Sequence, residues 1–200
     1  MAPLGPRAAD DDRALAGRGA QAQAPPITAE QLLLRYLAAS GPATPADFTA
    51  WSGLPGAKAI VEATRDRLVT YADEQGRTLY DLPNAPLPDD TIPAPPRFLP
   101  EFDNALLGHA DRARILPHAE RHLVVGGQRA ILVDGRVAGT WTHADGTLTV
   151  ETFRPLPTDD KRQVREEAKR LAAWAGEPKA RVRIRSGTGR TPTAAPSRTR

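Results

Sequence analysis

Cysteine is absent from the 200 residues, which excludes a disulfide framework and thiolate-ligated zinc and makes the cytoplasm the expected compartment. No apolar run approaches the ~18–20 residues that a membrane span needs, so no membrane partner is expected. The opening stretch, MAPLGPRAADDDRALAGRG, has three consecutive aspartates and no apolar segment, which excludes a secretory signal of the usual kind. The composition carries no phosphate loop either: SGTGR (186–190) lacks the lysine and the spacing. His118 and His122 stand four apart without a third ligand or the zincin glutamate, so neither a metal nor any other cofactor is expected. No serine–histidine–aspartate arrangement stands out.

What is present is a basic pI of about 9.6, and its location matters more than its value. Residues 177–200 hold Lys179, Arg181, Arg183, Arg185, Arg190, Arg198 and Arg200 against Glu177 alone, a net +6, whereas the whole chain is only +3. Residues 1–26 balance, so the middle of the chain is mildly acidic. The segment 177–200 therefore reads as a basic, unstructured tail whose Arg181, Arg183 and Arg185 are suited to phosphates, and 1–26 as an unstructured N-terminus.

Between these ends the periodicities predict an α+β protein. In 27–82, TAEQLLLRYLAAS opens with Thr28 and Gln31 at capping-box spacing and puts Leu32, Leu33, Tyr36 and Leu37 on one helical face. Thr44 and Pro45 start a second helix, with Phe48 and Trp51 inward, and Ile60, Val61 and Thr64 mark a third. Two short strands around Gln75-Gly76 follow, giving a winged helix-turn-helix. Residues 83–96 are a proline-rich linker. Residues 97–176 form a second unit in which Asp134-Gly135 and Asp145-Gly146 turn an antiparallel meander. A C-terminal helix closes it, capped by Thr158 and packed through Val164, Ala168, Leu171 and Trp174.

A winged helix places its third helix and wing against DNA, which nominates Lys58, Arg65, Arg67 and Arg77 as phosphate contacts. The segment RFLPEFDNALLGHADRARIL (97–116) mixes apolar anchors, Phe98, Leu99, Phe102, Leu106 and Leu107, with polar Asp103, Asn104, His109, Asp111, Arg112 and Arg114. Asp103 and Asn104 are suited to cap the turn that follows, and His109, Arg112 and Arg114 to face phosphates. The capped corner accounts for most of these letters.

Three stretches, RYLAASGPATPADFTAWSGLP, RFLPEFDNALLGHADRARIL and ILVDGRVAGTW, together resemble the winged-helix DNA-binding family that includes the AlkZ-like alkylpurine and interstrand-crosslink DNA glycosylases. The resemblance runs over roughly residues 30–175 and makes Phe102, Asp103, Asn104, His109, Asp111 and Arg112 a family signature. It implies double-stranded DNA as partner, a role in DNA repair and a nucleoid location in the cytoplasm. In that family a first winged helix carries a catalytic Gln-x-Gln or Gln-x-Asp motif. Gln21 and Gln23 match its letters, but only about eight residues separate them from LLLRYLAAS, far fewer than the family has. The expectation is a two-module DNA-binding protein without chemistry of its own, with a separate catalytic winged helix as a candidate partner. The alternatives are an active glycosylase using Gln21 and Gln23 on an extruded base, and a module that docks to a separate catalytic domain.

Overall fold

The computed structural model describes residues 26–89, 91–116, 121 and 127–186. Gln21, Gln23, His118, His122 and the segment 187–200 lie outside the described residues. Mixed helices and two small sheets make the fold α+β.

Helix α1 (Ala29–Ser40) starts where Thr28 and Gln31 cap each other's backbone N–H groups, and α2 (Pro45–Ser52) repeats the device with Thr44 and Asp47. Gly53, in the left-handed region at φ 71°, ends α2. Helix α3 (Ala57–Ala63) runs into a single 3₁₀ turn, Arg65–Arg67. Strands β1 (Val69–Ala72) and β2 (Thr78–Asp81) then pair antiparallel, and β2 also bridges back to Ala43 through Tyr80. The three helices share one core of Leu33, Tyr36, Leu37, Phe48, Ala57 and Val61. Tyr36 packs its ring on Phe48 at 5.5 Å and on Trp51 at 5.0 Å between centroids.

The second unit is a five-stranded sheet in the order β3-β4-β5-β6-β7. Its strands are β3 (Arg97–Phe98), β4 (Ala130–Val133), β5 (Arg136–Ala144), β6 (Thr147–Thr152) and β7 (Arg181–Ser186). Helix α4 (Asn104–Leu107) lies between β3 and β4, and α5 (Thr158–Trp174) between β6 and β7. Both Asp-Gly pairs, 134–135 and 145–146, have positive φ at each residue, the geometry of a two-residue hairpin turn. At Gly139 a Cβ would lie 2.7 Å from Thr152 Cα, so only glycine lets β5 and β6 approach.

Each face of this sheet is covered differently. Helix α5 buries Val164 and Ala168 against Ile131, Val133, Leu148 and Val150. On the opposite face, Leu99, Leu106 and Leu116 cover only the β4–β5 part, against Ala130 and Val137. Past Thr140 that cover ends, and Thr142 and Ala144 are exposed.

Four expectations are corrected. The basic segment is not unstructured from residue 177, because Arg181–Ser186 form β7, parallel to β6. Val182 and Ile184 alternate with the arginines and join the core beneath α5, which fixes the strand. The sheet is accordingly mixed, and α5 is a crossover between parallel strands instead of the last element. Trp174, expected on the apolar stripe, is 86% exposed: Ala172 takes the buried place in the last turn, and the stripe has rotated away by residue 174. The cap of α5 is Pro157 with Thr158 already helical, a shift of one residue.

Candidate nucleic-acid interface

The basic residues of the first unit are scattered. Lys58 is exposed on α3. Arg65 lies 3.9 Å from Glu62 one turn earlier, a loose surface pair. Arg67 is exposed and lines a cleft of about 580 Å³ with Leu34, Ala38, Leu82 and the linker residues 83–86. Arg77 is in a different situation. Its Nε donates to Asp73 Oδ2 at 2.5 Å and its Nη2 sits 3.6 Å from Asp111, so two carboxylates oppose its charge and hold its guanidinium's proton more firmly than usual. It ties the β1–β2 hairpin to the second unit.

The signature segment joins the two units. Asp103 is the N-cap of α4, its Oδ1 accepting from Ala105 N–H at 2.8 Å. Beyond α4 the chain folds onto the first unit: the Tyr36 hydroxyl donates to the Gly108 carbonyl at 2.7 Å, and Ala110 N–H donates to Asp47 Oδ1 at 2.9 Å. His109 stands 6.5 Å from the Tyr36 ring, and Asp111 accepts from Ala113 N–H while facing Arg77 and Arg121 at 3.6 Å each. Burial raises the affinity of Asp47 for its proton, but the hydrogen bonds from Thr44 and Ala110 outweigh that and hold its carboxyl below the usual range. Asn104 is exposed at the first position of α4. Arg112 is half-buried, its carbonyl receiving Ile115 and Leu116 N–H, and Arg114 is exposed.

Phe102 is not the core anchor that its apolar neighbours suggested. It is 73% exposed with φ +59°, because the chain reverses at 101–102 to deliver Asp103 as a cap. Leu99 and Leu106 are the buried anchors, with Phe98 and Leu107 half-buried. Replacing Asp103 with alanine is expected to lower stability by about 1 kcal/mol, the worth of an N-cap, whereas Arg112→Ala leaves the melting curve in place. Equal melting of both variants would contradict the cap.

The basic residues that the structure does bring together are those of β7. Arg181, Arg183 and Arg185 are all exposed and alternate with the inward Val182 and Ile184. The strand's rise separates successive arginines by roughly 6.6 Å. Register places them beside Thr147, Thr149 and Glu151 of β6, and those beside Ala144, Thr142 and Thr140 of β5. The uncovered half of the sheet is therefore a surface of three arginines and several threonine hydroxyls with Glu151 at one end. Among the described residues no ion pair engages these arginines. Exposed guanidinium groups beside hydroxyl donors suit a phosphate backbone. The alternation in RVRIR was the available signal; it was outweighed by the segment's high net charge.

Among the described residues no group of three or more His, Asp or Glu side chains is placed to hold a metal ion, and no helix is long and apolar enough to cross a membrane.

The sequence model of a family described as DNA glycosylase AlkZ-like matches residues 4–174. Among solved structures, a DNA glycosylase AlkZ from Streptomyces sahachiroi is similar, with a TM-score of 0.63 and 26% sequence identity. The similarity covers 79% of this chain and 45% of that one, so the chain spans less than half the length of that protein. No curated protein gives a significant match.

Proposed function

We infer that this chain, which belongs to the DNA glycosylase AlkZ-like family, is a duplex-DNA-binding protein of base-excision repair whose described residues grip the backbone. In this reading residues 27–82 are a winged helix-turn-helix and the β5–β6–β7 face is a second DNA contact. Hydrolysis of the N-glycosidic bond is supplied from outside the described residues, by a catalytic winged helix. The observation that carries the reading is the row of Arg181, Arg183 and Arg185, exposed, in no ion pair among the described residues, and flanked by Thr147, Thr149 and, beside Arg185, Glu151. In a protein whose folded middle is mildly acidic, positive charge collected in one row favours a polyanionic partner at that face. The family's description names DNA as what its members act on, which supports the same partner.

A second reading has one observation in its favour: the matched span of 4–174 takes in Gln21 and Gln23. These amides then position water at an extruded alkylated base, and the chain is itself a glycosylase. Incubating methylated duplex with excess protein separates the two. The DNA-binding reading predicts salt-sensitive binding with no free base or abasic site. Base release that disappears on Gln21→Ala and Gln23→Ala establishes the second reading instead.

A further inference from the structure

Phe102 combines several uncommon properties. It is a bulky residue in the left-handed region at φ +59°, where a side chain of its size is seldom tolerated. Its ring is 73% exposed in spite of its apolar character. The ring is also seated: it lies on the backbone of Gly127, where an added Cβ would fall 2.6 Å from Phe102 Cζ. Gly127 itself has φ +80°, so both the space and the backbone there call for glycine. One residue earlier, Glu101 is fastened to Arg129 at 2.7 Å, which anchors the turn that presents the ring. Strain of this kind persists only where the surroundings over-determine it, and it collects at sites that bind or act.

The position of the ring points to its ligand. The Arg129 carbonyl accepts from Trp141 N–H, so Gly127 and Phe102 sit at the end of the sheet toward which β5 runs through Thr142 and Ala144. Register then carries the same end across to Thr147 and Arg181. At that end of the sheet Phe102 thus lies toward the β4 side and Arg181, the first of the β7 arginines, at the opposite edge.

We propose that Phe102 is a stacking residue that receives an unpaired or unstacked base of duplex DNA while the β7 arginines hold the backbone. This proposal rests on the DNA-binding reading above. A flat apolar ring fixed in advance stacks on any base without loss of rotamer freedom, and selects DNA in which a base is already free to leave the helix.

The test compares affinity for a perfect duplex with affinity for the same duplex carrying one bulged adenine. The wild-type chain is expected to prefer the bulged duplex by about tenfold, the scale of one base–aromatic stack. Phe102→Ala brings the ratio near one with perfect-duplex affinity unchanged within about twofold, and Phe102→Trp keeps the preference. A preference that survives Phe102→Ala overturns the proposal, as does a wild-type chain that binds both duplexes equally. Failure of the wild-type chain to bind either duplex removes the DNA-binding reading, and this proposal with it.

Discussion

Replacing Arg181, Arg183 and Arg185 together with alanine is expected to weaken binding to a short duplex by roughly a hundredfold near 50 mM salt, and to flatten the salt dependence by about 2.7 slope units. The slope follows from counterion release, which returns about 0.9 of a monovalent ion for each phosphate neutralised on B-DNA. The three side chains are exposed, so stability should stay within about 0.5 kcal/mol of the unaltered chain. Titrations at several salt concentrations with a melting curve beside them provide the check. A row of arginines on an edge strand also deters pairing with another chain. A variant that self-associates while its soluble fraction binds DNA as before would show that edge protection is the row's whole role.

The Asp47→Ala substitution is expected to cost about 3 kcal/mol, since it removes the acceptor of two backbone N–H groups, those of Thr44 and Ala110. Asp47 is 6% exposed, so neither donor readily finds water as a substitute. The loss spans both units, because one carboxylate caps α2 and fastens the signature segment to it. Urea unfolding measures it, and a change below about 1 kcal/mol would mean that the two units do not depend on this residue. The pH dependence has a definite sign. The folded carboxyl is held below its unfolded value of about 3.9, so its contribution is fully present above that pH and is lost as pH falls through the folded value. Asp47→Asn should remove that part of the acid sensitivity.

Much of this fold is written locally in the sequence. The capping box at Thr28, the N-cap at Thr44, the two Asp-Gly turns and the stripe Val164–Ala168 depend on neighbours within a few residues, and each is found where periodicity and turn chemistry place it. What escaped local reading depends on distant partners. Strand β7 pairs in parallel with β6 only because α5 carries the chain back across the sheet, and its alternating Val182 and Ile184 were masked by the charge of the arginines between them. Phe102 reads as an anchor from its apolar neighbours, and only the turn that delivers Asp103 as a cap turns its ring outward. Of the candidate contacts, the arginines of β7 were identifiable by charge but not as a surface. Arg77 was identifiable too, but not its two carboxylate partners.

The proposed principal DNA contact is the β5–β6–β7 face, and a titration of the labelled protein with a short duplex, followed by backbone amide chemical shifts, tests it most directly. The largest shifts are expected at Thr142, Thr147, Thr149 and Arg181–Arg185, with smaller ones at Lys58 and Arg65 on the third helix and its following turn. Shifts confined to Lys58, Arg65 and the β1–β2 hairpin, with the β7 amides unmoved at saturation, would contradict it.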